Sequence, residues 1–206
     1  MVDQLAQEYA GQPVVFLEYD VDNAPFSRYA RWWAAYGGSS ATLPLVMVDS
    51  GNQFGGGYVD FHTVYGNMVA TALARPAQVE LHAYWWRTGD QVRFNVHVTN
   101  PGPDPIAGAT AHAIVYEQTH VRLTDRFVRA AVDIPMSELA PAATVTYTLT
   151  TPDLAGVDWS RLRFLALVDQ RPPGTTGAYD TLQAAFAEAS NAGTPLPKVY
   201  LPLIGR

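Results

Sequence analysis

Residues 79–101 read VELHAYWWRTGDQVRFNVHVTNP. Apolar side chains occupy alternate positions on both sides of one turn signal, namely Val79, Leu81, Ala83 and Trp85 before it and Val92, Phe94, Val96 and Val98 after it. The turn signal itself is Gly89-Asp90. Alternation with a period of two is typical of strands that bury one face and expose the other. We therefore predict two half-buried strands, one on each side of this turn.

The chain that follows carries more strand candidates and no helical pattern between them. Residues 100–105, NPGPDP, form a strong loop signal. Four stretches rich in β-forming residues come next, at 110–117, 128–134, 145–149 and 162–168. Short strands at this spacing, without intervening helices, are typical of an antiparallel β-sandwich.

The first 75 residues have a different character, because helical and strand patterns alternate there. Helices are expected at 1–9, 26–36 and 64–75, and strands at 14–19, 43–49 and 54–61. At the other end, residues 181–189 fit either a short strand or a short helix. We predict an α+β chain with three parts, at 1–75, 76–189 and 190–206, the last being a Pro-containing linker with an apolar tail.

Composition excludes several classes of function. The chain has 206 residues, of which 48% are hydrophobic and 16% charged, and a formal net charge of −6. This charge disfavours nucleic-acid binding and docking on anionic membranes. The absence of cysteine excludes a thiol redox pair, a thiol nucleophile and cysteine-ligated metals in this chain. We therefore expect no catalytic residues, no enzyme activity of this chain and no cofactor.

The chain also lacks sequence signals for membranes. No apolar run reaches the ~18 residues that a membrane span requires. Residues 1–9, MVDQLAQEY, have no basic start followed by an apolar segment, so they are not a signal peptide. They look like the interior of an amphipathic helix, which suggests that upstream sequence is missing.

Residues 5–11 and 14–20, then 43–51, then 55–75, resemble a thioredoxin-like domain by their order and spacing. The resemblance implies that Pro44 matches the family's cis-proline, and that Leu43 and Pro44 mark a substrate-binding position. The family's Cys-x-x-Cys motif and the strand before it have no counterpart here. Either the chain is a fragment whose upstream part is missing, or it is a degenerate domain that lost its chemistry.

The missing strand has a structural consequence. In the family's sheet it lies between the strands that 14–19 and 43–48 match. Without it, either those two strands pair directly or something else fills the gap. Each buried unsatisfied group costs about 1–3 kcal/mol. We therefore expect an open strand edge that recruits a partner protein or a second copy of the chain.

Residues 89–102, 139–149 and 159–169 resemble strands of the immunoglobulin-like or fibronectin-type modules that accompany exported bacterial proteins. The tail 199–203, VYLPL, is similar to tails of secreted proteins from some filamentous bacteria. Both resemblances imply an extracytoplasmic or secreted protein.

Histidine and aspartate offer two weak metal hypotheses. His82 and His97 fall on the polar side of their predicted strands, where a surface zinc site is one interpretation and solvated histidines are the favoured one. Asp20, Asp22 and Asn23 cluster at a strand end, as in a calcium site, although loop polarity and helix capping explain them better. We therefore expect no metal.

Trp85 and Trp86 are the candidate aromatic contact surface. Consecutive residues of a strand point to opposite faces, so one of the two side chains should lie outside the core. It should either pack at the junction with the first part, which we favour, or bind a sugar or peptide.

The combined hypothesis is a non-catalytic exported binding or structural protein. It consists of a degenerate thioredoxin-like unit and an immunoglobulin-like module. Two alternatives remain open. The chain is the C-terminal fragment of an exported thiol–disulfide oxidoreductase, or it is a carbohydrate- or peptide-binding surface module.

Overall fold

The computed structural model describes residues 2–20, 26–37, 44–56, 60–122, 124–172 and 179–190. These residues form a mixed α+β fold in which most sheet pairing is antiparallel. The α-helices are α1 (Val2–Glu8), α2 (Ser27–Trp32) and α3 (Phe61–Leu73). The strands are β1 (Leu45–Val48), β2 (Gln53–Gly56), β3 (Glu80–Thr88), β4 (Gln91–Thr99), β5 (Ala109–Glu117), β6 (Phe127–Pro135), β7 (Thr144–Thr150), β8 (Leu162–Gln170), β9 (Asp180–Phe186) and β10 (Glu188–Ala189). None of the helices in these ranges is long and apolar enough to cross a membrane.

Eight of these strands form two four-stranded sheets. The first sheet has the order β10-β3-β4-β7, and the second sheet has the order β6-β5-β8-β9. The β3–β4 hairpin turns at Gly89-Asp90, as predicted, with Thr88 opposite Gln91. Gly89 takes a φ of +61°, a conformation that glycine adopts without steric cost.

The two sheets pack face to face around one core. Alternate residues of β3 and β4 pack against alternate residues of β5 and β8. The apolar positions of the period-two pattern therefore face the interior of the sandwich. At its centre Phe164 stacks on Trp85 with 3.7 Å between ring centroids and meets Phe94 edge-on at 6.2 Å. Phe94 is fully buried.

The second sheet is covered on its outer face as well. Five buried residues, Ile114, Tyr116, Val128, Leu165 and Leu167, point away from the sandwich core. The segment 14–19 packs on them through Val15, Leu17 and Tyr19. The first part of the chain therefore packs on the outer face of the second sheet. Because both faces of β5 and β8 are covered, their sequences are nearly continuous apolar runs.

The helices of the first part have a small core of their own. Leu5 of α1 and Tyr65 and Met68 of α3 are buried together, and Phe16, Val46 and Val48 pack against them. The first turn of α3 is capped by Asp60, whose side chain accepts a hydrogen bond from the Thr63 N–H at 3.2 Å.

Three local expectations need correction. The strand expected at 54–61 is described only as β2, which ends at Gly56, and Phe61 already begins α3. Residues 14–19 do not form a strand, because only Glu18 makes a ladder contact, an isolated parallel bridge to Phe127. A strand is defined by pairing, and within the described residues no strand lies beside residues 15–17. The helix expected at 26–36 changes at Trp33 into a wider π-helical turn that ends at Gly37.

The ambiguous region 181–189 consists of strands. β9 pairs with β8, and the short β10 pairs in parallel with β3. The division of the chain at residues 75 and 189 stays a prediction, as does the assignment of either part to a fold family.

Candidate functional site

A cavity of about 1000 Å³ lies between residues 14–19 and strand β1. We call it the slot. One wall is the outer face of the second sheet, with Leu165 and Leu167, and the opposite wall is formed by α1 and α3, with Leu5 and Tyr65. The slot is thus covered above and below and bounded on two sides by extended chain.

The two bounding segments leave backbone groups unpaired. β1 pairs with β2 in an antiparallel hairpin, and within the described chain it has no partner on its other edge. Across the slot, Glu18 exchanges backbone hydrogen bonds with Arg126 and Val128, whereas the described residues offer none to Val15, Phe16 or Leu17. Both edges therefore have backbone donors and acceptors that pair with no other described residue.

The side chains along these edges alternate as they do in a strand. Val15 and Leu17 pack toward the sandwich, while Phe16 packs toward α1 and α3. On the other edge Val46 and Val48 pack toward the helices. Leu45 and Met47 also line the slot but belong to no apolar cluster of the described residues. Part of the apolar surface of these two half-buried side chains is therefore not covered by the apolar clusters of the described residues.

A buried ionic cluster joins the first part to the sandwich beside the slot. Asp169 of β8 is fully buried and accepts from both terminal nitrogens of Arg31, one of them at 3.2 Å from Oδ1. The Arg28 Nε atom lies 3.7 Å from Asp169 Oδ2, and His112 Nε2 lies 3.0 Å from Oδ1.

The charge states in this cluster follow from burial and pairing. Burial alone raises the pKa of Asp169, but the hydrogen bond from His112 and the Arg31 and Arg28 guanidiniums outweigh it and hold that pKa below its usual range. Burial also lowers the pKa of His112, against the attraction of Asp169. Neutral His112 thus donates its Nε2–H to an ionised Asp169.

A second polar group fixes the corner where β1 ends. Ser50, with φ 55° and only 4% exposed, places its Oγ 2.8 Å from Arg28 Nη2 and 2.9 Å from the Thr181 hydroxyl. The Asp49 carboxylate accepts from the Thr181 N–H at 2.8 Å and pairs with Arg75. Burial raises the pKa of Asp49, opposed by these contacts. This corner ties β1 to β9 of the sandwich.

These contacts occupy the polar side chains at this end of the slot. Arg28, Asp49, Ser50 and Arg75 line it, yet each is bonded to another protein group. The arrangement can bind apolar surface and unpaired backbone.

The sequence-predicted site residues fall at three places. Pro44 is half-buried and lines the slot, whereas Leu43 lies outside the described residues. Trp85 packs against the sandwich core, and Trp86 lies on the opposite face, with the Arg93 guanidinium 5.9 Å from its ring centroid. The sugar- or peptide-binding role of these tryptophans stays a prediction.

The metal hypotheses gain no support from the described residues. His82 and His97 are directly opposite each other in the β3–β4 register, and His97 Nδ1 lies 2.8 Å from the Thr146 hydroxyl. No third ligand joins them in the described ranges, where the one three-residue group is Asp3, His120 and Asp125 at the surface. Asp22 and Asn23 lie outside the described residues.

Sequence reasoning did not select Arg28, Arg31, His112 or Asp169. The available signal was polarity inside apolar strands, since His112 and Asp169 interrupt the runs ATAHAIVY and FLALVD. A charged group in a strand that is otherwise apolar needs a partner from elsewhere in the chain.

No protein-family model and no curated protein matches this chain. Among solved structures, similarity extends to a domain of the outer membrane lipoprotein Omp28 from Porphyromonas gingivalis, with 13% identity, 56% of this chain and 90% of that one covered, and a TM-score of 0.38. The C-terminal domain of Wzt has 8% identity, 59% and 86% coverage and a TM-score of 0.33. β-Glucuronidase 2 of Bacteroides uniformis has 15% identity, 52% and 12% coverage and a TM-score of 0.36. Similarities this low assign neither a family nor a function.

Proposed function

We propose that this chain is a non-catalytic binding module, located outside the cytoplasm, whose slot takes up an extended polypeptide segment as an added strand. The observation that carries the proposal is that two backbone edges, at Val15–Leu17 and at β1, line one cavity and have no pairing partner among the described residues. The extracytoplasmic location rests on the sequence resemblances alone.

Backbone groups favour a peptide over another apolar ligand. Each buried donor or acceptor left unpaired costs about 1–3 kcal/mol, and a strand between the two edges supplies partners to both. A small apolar molecule fills the volume but leaves these groups unsatisfied. Strand addition to an open sheet edge is an established mode of peptide recognition.

The slot itself favours one alternative, the fragment of an exported oxidoreductase. It lies between the two segments where the thioredoxin resemblance implies the missing strand, and Pro44 lines it. In that case an upstream segment of the same polypeptide fills the slot. The intact mass and N-terminal sequence of the protein isolated from its native source distinguish the two, since a mass near 22.5 kDa starting at Met1 supports the binding module.

Selection of displayed peptides tests the proposal. A random dodecapeptide library is selected on the wild-type chain, and binders are retested on Met47→Glu and Met47→Leu. Because Met47 lines the slot without belonging to a cluster, a charge there should abolish binding while leaving the fold intact, and leucine should preserve it. Thr150→Glu, on an exposed strand position, is the matched charge control.

A selected peptide is then remade with alternate backbone nitrogens methylated. Loss of binding is expected, because the methyl groups remove the donors that pair with the open edges. The proposal fails if no selected peptide distinguishes Met47→Glu from Thr150→Glu, or if methylation leaves the affinity unchanged.

A further inference from the structure

We infer that the segment taken up by the slot is uncharged, apolar on both faces over about four residues, and supplied by a separate polypeptide. The inference rests on the proposed strand addition and names the chemistry of the occupant. Three features of the slot carry it: its two apolar faces, its length and its balanced charge.

Both faces of the slot are apolar. An added strand would lie with one side on Leu165 and Leu167 of the second sheet and the other on Leu5, Tyr65 and Val69 of the helices. Successive side chains of a strand point to opposite faces, so neither set of alternate positions would reach water. An amphipathic strand, apolar at every second position, would bury a row of polar groups without partners.

The edges set the length of the segment. β1 presents four residues, Leu45–Val48, and the facing edge presents three, Val15–Leu17. At about 3.3 Å per residue, four residues extend about 13 Å. A longer segment would continue beyond both edges and gain no further backbone pairing.

The charged groups at the slot sum to no net formal charge. Six described charged residues line it, three acidic and three basic: Glu18, Asp20, Asp49, Arg28, Arg75 and Arg122. Arg28 is bonded to Ser50, and Arg75 pairs with Asp49. An ionised side chain brought to Arg28, Arg75 or Asp49 would therefore lose its hydration and meet only charges that are already bonded within the protein.

The segments within residues 1–206 fit this description poorly. In a second copy, the described strands with one unpaired edge are β1, β2, β6, β7, β9 and β10, and each is already held in a sheet by its paired edge. The apolar run 199–204, VYLPLI, contains Pro202, which lacks the N–H that one edge needs. A separate polypeptide has neither restriction.

Fluorescence anisotropy with three labelled synthetic peptides tests the inference. The first carries five alternating Val and Ile residues between Gly-Ser flanks, the second replaces the central residue by Asp, and the third replaces every second apolar residue by Ser. We expect the first to bind, and the second and third to bind weaker by about tenfold or more. The Met47→Glu variant should not bind the first peptide, and the Thr150→Glu variant should bind it with the affinity of the wild-type chain.

The outcomes separate the inference from the proposed function. If the Asp or Ser peptide binds as tightly as the first and Met47→Glu abolishes that binding, strand addition stands and the inference is overturned. If the library yields no slot-dependent peptide, the proposed function fails with it.

Two further measurements test the source of the occupant. A chain that ends at Ser190 should bind the first peptide with unchanged affinity, because tighter binding would show that residues 191–206 compete for the slot. Sedimentation should show no self-association that the first peptide reverses, because such a result would identify a second copy as the occupant.

Discussion

At the scale of single residues, Asp169 has the largest expected effect on stability. It is fully buried and pairs with Arg31 and Arg28, whose side chains are only 18% and 7% exposed. Asp169→Asn removes the negative charge and leaves the buried Arg28 and the partly buried Arg31 without this counter-charge, so we expect the free energy of unfolding to fall by about 3–5 kcal/mol. Urea denaturation followed by circular dichroism measures it.

The matched control for this prediction is Asp90→Asn. Asp90 pairs with Arg87 at the surface, where a single ion pair contributes below about 1 kcal/mol. Equal losses in the two variants would contradict the view that Asp169 holds the first part of the chain against the sandwich.

His112 gives the same cluster a pH dependence. Burial lowers the pKa of His112, so the folded chain keeps it neutral while the unfolded chain takes up a proton near the ordinary value of about 6.5. Stability should therefore fall as pH decreases from about 7.5 through this value, by at most about 1.4 kcal/mol per pH unit. Asp169 adds a separate loss below its ordinary pKa of about 3.9, because its folded pKa is depressed.

Amide variants isolate the contribution of His112. His97, whose pKa is also lowered by burial and by nearby His82, contributes in the same range. His112→Gln should thus reduce the slope of stability against pH between 7.5 and about 5.5 without abolishing it. His112→Asn should reduce this slope by the same amount. It should be less stable than His112→Gln at pH 7.5, because the shorter amide does not reach Asp169. An unchanged slope in both variants would show that His112 is not the titrating group.

At the scale of elements, the corner between β1 and β2 depends on one glycine. Gly51 has φ +89°, and a Cβ there would lie 3.2 Å from the indole of Trp32, whose Nε1–H donates to the Ser50 carbonyl. Gly51→Ala should therefore displace Trp32 of α2 as well as strain the backbone. Gly11→Ala is the control, because Gly11 has φ +83° and open space around its Cβ position.

Both glycine variants should lose about 1–2 kcal/mol from the left-handed conformation. Gly51→Ala should lose about 1 kcal/mol more, because the Trp32 hydrogen bond is broken, and only this variant should shift tryptophan fluorescence. Equal losses with unchanged emission would mean that the corner accommodates the methyl group without moving α2.

How much of the fold could be predicted depends on where each element finds its partners. β3 and β4 are neighbours along the chain, so alternation and one turn were sufficient. The segment 14–19 has the composition of a strand, but local composition does not supply a pairing partner, and the segment instead lines a cavity. The ambiguous region 181–189 became strand because it could pair with β8 and β3.

The candidate site was predictable only in part. The thioredoxin resemblance implied an open edge beside 14–19 and Pro44, and both segments line the slot. The covering of the slot by the second sheet was not predictable, because it depends on contacts between residues such as Leu17 and Leu167. The cluster around Asp169 joins residues up to 141 positions apart in sequence, from Arg28 to Asp169, and no local pattern indicates such pairs.

At the scale of the whole molecule, the two parts of the chain share buried surface and should unfold together. Separation would expose Ile114, Leu165 and Leu167 on the outer face of the second sheet and would break the Asp169 pairs. Each large apolar side chain exposed costs about 1.5–3 kcal/mol, so an intact sandwich without its covering is unfavourable. We therefore expect one cooperative transition in urea.

Hydrogen exchange detected by mass spectrometry in increasing urea tests this cooperativity. Peptides from α3 and from β4 should lose protection at the same urea concentration, and Asp169→Asn should lower both midpoints equally. Val15–Leu17 should exchange rapidly throughout, because these amides have no partner among the described residues. If α3 loses protection well before β4, the first part opens while the sandwich remains folded. The slot would then lie at an interface that opens before the sandwich unfolds. In that case a bound strand should measurably raise the urea concentration at which α3 loses protection.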